Sequence, residues 1–194
     1  MAADASASGD GPAGESASGD GGAEIAELVK ARLRDVPDYP QPGVMFKDIT
    51  PLLADGPALA AVVTALSSGH EGVHKVAGIE ARGFILAAPV AIQLGAGFVP
   101  VRKQGKLPGP TYAQSYDLEY GSATIEVHQD AFAPGERVLI VDDVLATGGT
   151  GAATVELVRK AGAEVAGIAV ILELSFLHGR PRLPEVPIRS LLVV

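Results

Sequence analysis

The stretch "VLIVDDVLATGGTGAA", from Val138 to Ala153, holds an apolar run, two adjacent acids and a glycine-rich turn within sixteen positions. Val138–Val141 are four apolar residues in succession, the pattern of a strand buried on both faces inside a parallel sheet. The strand is expected to end at Asp142, and a helix to begin near Thr150. The connection therefore falls at the carboxyl end of a strand and the amino end of a helix. Free backbone N–H groups and the helix dipole attract a phosphate there. Gly148 and Gly149 allow the backbone to come close to such a group, and Thr147 and Thr150 add hydroxyl donors. The loop lacks the Gly-Lys-Ser/Thr ending of the nucleoside-triphosphate P-loop, and no G-x-G-x-x-G dinucleotide pattern is present in it.

Asp142 and Asp143 cannot be there for the phosphate, because like charges repel. They suit hydrogen bonds from sugar hydroxyls, or Mg²⁺ held through its water shell. A phosphorylated sugar uses both halves of the stretch, the loop taking its phosphate and the acids its hydroxyls.

Working outward, "AEVAGIAVILEL" supplies another buried strand after the helix "GTGAATVELVRKAG". On the other side, "KVAGI" (75–79) is a short buried strand, "ARGFILAAPVAIQLG" a loop opening a helix that stops at Gly95, and "GFVPVRK" the next strand. Strand–helix–strand alternation of this kind predicts an α/β fold, with a central, mostly parallel sheet flanked by helices. Ligands in such sheets sit at the carboxyl ends of the strands. "QGKLPGPTYAQS" is rich in glycine and proline and is expected to be an exposed loop or lid, followed by a hairpin of "DLEYG" and "ATIEVH". Ile25, Leu28, Val29, Leu33 and Val36 have near-helical spacing, which predicts a first helix over 23–36. Four prolines and a glycine in "PDYPQPGVMFKDITPLL" forbid a long regular element there, and a further helix is expected over Pro57–Ser67.

The first 22 residues repeat "SASGDG" and carry no aliphatic side chain larger than alanine after Met1, so a disordered tail is expected over 1–22, ahead of a single domain over 23–194. The chain has 194 residues, a formal net charge of −8 and no cysteine. The negative balance argues against an extended nucleic-acid footprint, and the lack of cysteine removes disulfides, thiolate metal sites and cysteine nucleophiles. The four histidines, His70, His74, His128 and His178, show no metal-ligand grouping. No apolar run approaches a membrane span of roughly 20 residues, and no signal pattern is seen, so a soluble cytoplasmic protein is expected.

"VLIVDDVLATGGT" resembles the 5-phosphoribosyl-1-pyrophosphate (PRPP) signature of the type I phosphoribosyltransferases. "PDYPQPGVMFKDITPLL", "GIEARGFILAAPVA" and "FVPVRKQGKLPGPTYAQSYDLEYG" are similar, in order and spacing, to the adenine-specific branch of that family. The resemblance runs from about Ile25 to the C-terminus. It implies a fold with a small N-terminal hood, about 36–54, and a flexible lid, about 103–120. The implied reaction is adenine plus PRPP giving AMP and pyrophosphate, a glycosyl transfer of purine salvage, with Mg²⁺ entering bound to PRPP and Asp142 and Asp143 near it.

Further roles follow from the same resemblance. Asp142, Asp143, Ala146, Thr147, Gly148, Gly149 and Thr150 hold the ribose 5-phosphate. Arg82 sits in a second anion-binding turn, after a cis peptide at Glu80–Ala81, and meets pyrophosphate together with Arg102, Lys103 and Lys106. Glu119 moves or orients the proton on adenine, and Tyr120 positions the closed lid. Met45, Phe46 and Lys47 receive the base, Phe46 by stacking. Lys47 replaces a common arginine and loses its planar, bidentate donors. Ala146 stands where enzymes for 6-oxopurines usually carry an aspartate, which favours an aminopurine. The family is typically dimeric, with neighbours completing each other's sites near the arginine and lid, so a homodimer is expected. The alternatives are a phosphoribosyltransferase for another purine, and a regulator of the same fold that senses PRPP or a nucleotide without catalysis.

Overall fold

The computed structural model describes residues 20–117, 121–183 and 185–194. Nine strands and five α-helices follow in the order α1 (Asp20–Lys30), β1 (Arg34–Pro37), β2 (Met45–Asp48), α2 (Thr50–Ala54), α3 (Gly56–Ser67), β3 (Lys75–Ile79), α4 (Arg82–Leu94), β4 (Gly97–Lys103), β5 (Thr111–Asp117), β6 (Ser122–His128), β7 (Arg137–Leu145), α5 (Gly149–Lys160), β8 (Glu164–Glu173) and β9 (Ile188–Val193) among the described residues. Seven strands form one sheet in the order β5-β6-β4-β3-β7-β8-β9. The β4-β3-β7-β8-β9 portion is parallel, and β6 and β5 add an antiparallel edge. The expected α/β architecture is therefore the observed one.

The apolar runs sort by parity, because successive side chains of a strand point to opposite faces. Val76, Leu139, Val141, Ala169 and Ile171 lie in one core with α1, α3 and α4. Ala77, Val138, Ile140, Ile168 and Val170 lie in the other with α5 and the β5–β6 hairpin. Both faces of the central strands are covered, which is why their sequences read as continuous rather than alternating. α4 follows β3 onto one face and α5 follows β7 onto the other. β3 and β7 are adjacent, so the sheet has its topological switch point between their carboxyl ends.

Several boundaries differ from expectation. The first helix begins at Asp20, so that a full turn precedes the apolar stripe from Ile25, and it stops at Lys30. Residues 34–36, expected to be helical, form β1 with Pro37 and pair with β2 instead, with Val36 opposite Phe46. Cross-strand ion pairs, Arg34 with Asp48 at 2.5 Å and Lys47 with Asp35 at 2.7 Å, hold the hairpin, and the prolines beyond it block further helix. Residues 1–19 of the expected tail lie outside the described residues. The stretch expected to be a loop over 104–115 contains β5, which pairs with β6 from Thr111–His128 to Asp117–Ser122. Tyr112 and Tyr116, four apart on one face of β5, pack against the core of α5, and this burial explains the strand. β7 continues past Asp142 to Leu145, because β8 runs on beside it as far as Glu173. β9 was not foreseen.

At the amino ends of the strands, the His70 ring packs on Gly167, where a Cβ would lie 3.0 Å from Cε1. Burial, and then the positive charge of Arg189, push the His70 imidazole below its ordinary value; Arg137 acts the same way and Glu71 opposes it. A depressed histidine contributes stability that is complete above its unfolded value of about 6.5 and is lost as pH falls through the folded value. His70→Gln should therefore flatten the fall of the urea midpoint on the acid side of pH 6.5 and leave the slope of unfolding free energy with urea unchanged. An unaltered pH profile in the variant rules this out.

Candidate active site

The carboxyl ends of β3 and β7, with the turns that follow, enclose a cavity of about 440 Å³. Its wall includes Arg82, Lys103, Asp142, Asp143 and the loop Ala146–Thr150, all expected from the sequence. Glu80, Tyr116 and Ile125 complete it and were not singled out beforehand.

The phosphate-type loop is shaped by backbone. Gly148 caps α5 in the left-handed region, φ 81°, and no side chain caps the helix. Its first amides thus remain available to an anion. Gly149 touches the β5–β6 hairpin, since a Cβ there would meet the Tyr116 ring at 3.3 Å and the Asp117 carbonyl at 3.4 Å. The signal that could have found Tyr116 is its spacing of four from Tyr112, which suits one face of a strand, but the stretch was expected to be a loop.

The second turn is equally tight. The Glu80–Ala81 peptide is cis, as the resemblance implied. A Cβ on Gly83 would lie 2.8 Å from the Val141 carbonyl and 3.0 Å from Asp142 Oδ1, so α4 starts directly against β7. This approach lets Arg82 Nε donate to Asp143 Oδ2 at 2.5 Å. The same guanidinium lies 5.7 Å from the centre of the Phe46 ring, a cation–π distance that brings the β1–β2 hairpin against Arg82.

The two acids differ in surroundings. Asp143 is buried and paired with Arg82. Burial, and then the negative charge of Asp143, push the Asp142 carboxyl well above its ordinary range, although Oδ1 accepts the Asp143 amide at 2.9 Å.

Not every expected ligand reaches the cavity. Arg102 Nε donates to Glu80 Oε2 at 3.2 Å and its Nη1 to the Lys106 carbonyl at 3.0 Å, so this arginine ties the anion turn to the root of the loop. Glu80 also accepts the Lys103 amide, which, with Arg102, holds its carboxyl below the usual range. The Lys106 side chain is exposed. Lys47 is turned to Asp35 across the hairpin, and Met45 is exposed, leaving Phe46 as the one of the three that contacts Arg82. Glu119 and Tyr120 lie outside the described residues. Among the described residues, no group of three or more His, Asp or Glu could hold a metal ion by itself.

Residues 52–186 match the family model described as a phosphoribosyl transferase domain. The chain belongs to the phosphoribosyltransferases. Two relatives, both called adenine phosphoribosyltransferase, are 62% identical over 88% of this chain and 97% of the protein from Streptomyces coelicolor, and 64% identical over 89% and 98% for that from Acidothermus cellulolyticus. A crystal structure of adenine phosphoribosyltransferase from Rhodothermus marinus, 53% identical, superposes with a TM-score of 0.84 over 89% of this chain and 99% of that one. The Saccharomyces cerevisiae enzyme, 36% identical, superposes with a TM-score of 0.83 over 87% of this chain and 99% of its own; it was crystallised with adenine and an imino-altritol bisphosphate. In this phosphoribosyltransferase, then, the anion loop, the acid pair and the arginine turn are the parts that family membership leads one to look for, and they share one cavity.

A carboxyl raised by burial opposes folding once ionised, so its contribution is favourable below its unfolded value of about 3.9 and is lost as pH rises through the folded value. Asp142→Asn should therefore raise the melting temperature at pH 7.5, with the gain disappearing below about pH 4. The same change should lower transfer activity by about tenfold or more. A variant no more stable than the parent at pH 7.5 contradicts the assignment.

Proposed function

We infer that the chain transfers the 5-phosphoribosyl group of PRPP to adenine, giving AMP and pyrophosphate, as a purine-salvage glycosyltransferase. The observation that carries this is the meeting, in one cavity, of the Ala146–Thr150 loop, the Asp142–Asp143 pair and the Arg82 turn, with Phe46 against the arginine. The loop amides and the hydroxyls of Thr147 and Thr150 receive the 5′-phosphate. Asp142 and Asp143 accept the ribose hydroxyls. A ring nitrogen of adenine forms the bond to the sugar carbon as its bond to pyrophosphate breaks, and Arg82 and Lys103 take up the negative charge that departs. Arg82 must first loosen from Asp143, which is then free to face the sugar.

Mg²⁺ fits this donor set as a passenger of PRPP. The cavity offers two adjacent carboxylates, hard oxygen donors, and one of them is already balanced by Arg82. Asp142 and Asp143 would hold the ion through its waters, where it supplies positive charge to the pyrophosphate oxygens. Glu119 is proposed to handle the adenine proton and Tyr120 to position the lid, which excludes water from the reacting sugar. The hood over about 36–54, the lid over about 103–120 and a cytoplasmic setting belong to the same proposal.

A homodimer is also proposed. Ile85 and Ile92, seven apart on α4, are 48% and 81% exposed, and Phe98 on the neighbouring β4 is 40% exposed. This apolar face continues from the helix that Arg82 opens, so a partner copy there lies beside the site. Light scattering at micromolar concentration should give a dimer for the parent and a monomer for Ile92→Glu; a monomeric parent overturns it.

The activity is tested by competition among adenine, hypoxanthine and guanine at fixed PRPP with Mg²⁺. AMP and pyrophosphate should form in preference to the oxopurine products. Preference for an oxopurine overturns the adenine assignment, and PRPP binding without pyrophosphate release makes the chain a regulator. Glu119→Gln should lower turnover by about a hundredfold while adenine affinity stays within a factor of about two. Unchanged turnover removes the proton role.

A further inference from the structure

Between β8 and β9 the chain makes two single 3₁₀ turns, Ser175–Leu177 and Arg180–Arg182, with His178 and Gly179 between them. Gly179 has φ −70°, a value open to any residue, so backbone freedom does not explain a glycine here. Space does. A Cβ on Gly179 would lie 2.1 Å from the Ala146 carbonyl oxygen and 3.0 Å from the Gly148 nitrogen, and a Cβ on Gly148 would lie 2.5 Å from the Gly179 carbonyl. Two backbones meet here with no side chain between them, and one of them is the phosphate-type loop.

The opposing segment is fastened to the sheet. Arg180 Nε donates to Glu173 Oε1 at 2.9 Å, and Ser190 Oγ donates to Glu173 Oε2 at 2.6 Å. Glu173 ends β8 and is buried, and Ser190 belongs to β9. Arg180 Nη1 also donates to the Ile188 carbonyl at 3.3 Å. The Leu174 amide donates to the Leu145 carbonyl at 2.9 Å, so the segment departs from the strand pair that leads into the loop. The ion pair holds the Glu173 carboxyl below its usual range, which keeps it ionised near neutral pH. Bidentate pairing, with Arg180 Nε on Oε1 and Nη2 on Oε2 of the buried Glu173, fixes direction as well as distance.

We propose that Gly179, clamped by Arg180, Glu173 and Ser190, is a positioning residue that sets the Ala146–Gly148 backbone in its anion-binding shape. It touches no substrate and acts through the loop. The consequence for transfer rests on the phosphoribosyl reading above, whereas the mechanical coupling does not. A displacement of the loop by about 1 Å is enough to weaken a preorganised site by an order of magnitude or more.

The test compares the full chain with Gly179→Ala. Hydrogen exchange without any ligand should accelerate about tenfold at Ala146–Thr150 and remain unchanged at Val138–Val141. The KM for PRPP and the Kd for ribose 5-phosphate should each rise about tenfold, with the KM for adenine within a factor of about two. Glu173→Gln keeps the side chain's size but removes the charge and replaces one accepting oxygen by an amide donor, which breaks the clamp; it serves where Gly179→Ala does not fold, and should shift the same quantities several-fold in the same direction. Unchanged loop exchange in a folded variant overturns the brace, and so does accelerated exchange with unchanged PRPP and ribose 5-phosphate binding. A parent that exchanges as expected yet transfers no phosphoribosyl group counts against the proposed function alone.

Discussion

β3 and β7 are neighbours in the sheet, and the helices that follow them leave toward opposite faces. That divergence opens the only kind of crevice a covered parallel sheet offers, one lined by strand ends and helix starts rather than by packed side chains. It also brings two amino-terminal helix ends to one place, each with unsatisfied amides. The acids at Asp142 and Asp143 are tolerable because they sit in this field and because Arg82 lies 2.5 Å from one of them. Over Val138–Val141 of β7 the side chains are apolar and buried, and a pair of carboxylates would find no partner there.

The cavity is thus a place where stability is sacrificed for chemistry. Asp142 is held in surroundings that favour its neutral form, and Arg82 is engaged by Asp143 until something competes for it. The compensation lies in the two cores on either side of the sheet, whose fully buried Leu139, Ile140, Leu157 and Ile171 are remote from any polar requirement.

Much of this was legible in the sequence for a physical reason. Strands β3, β7 and β8 are buried on both sides, so their apolar runs are unbroken, and the glycines after β7 mark a turn whose chemistry is local. What escaped depends on distant partners. Leu33 and Val36 fit a helical spacing, and only the pairing of Val36 with Phe46 turns that segment into a strand. The acids appeared to end β7, because the ladder that carries it to Leu145 is supplied by β8. Lys47 looked available to a base, but hairpin register sets it opposite Asp35. Gly179 gave no signal at all, since its dihedrals are ordinary and its constraint comes from a loop over thirty residues away in sequence. Glu80 might have been suspected as an acid beside an anion turn, where a negative charge needs a cation of its own; Arg102 is that cation.

The glycines that shape the cavity have one property in common. At Gly83, Gly148 and Gly179, an added methyl group would meet a backbone oxygen at 2.1–2.8 Å. This part of the cavity is therefore walled by main chain and closed to substitution. The β1–β2 ribbon is different: Phe46, Lys47 and Met45 lie on it, outside the main sheet, held partly by surface ion pairs. Variation can accumulate on that ribbon without disturbing the main-chain walls between β3 and β7. A molecule built this way can change beside its cavity while the cavity keeps its shape.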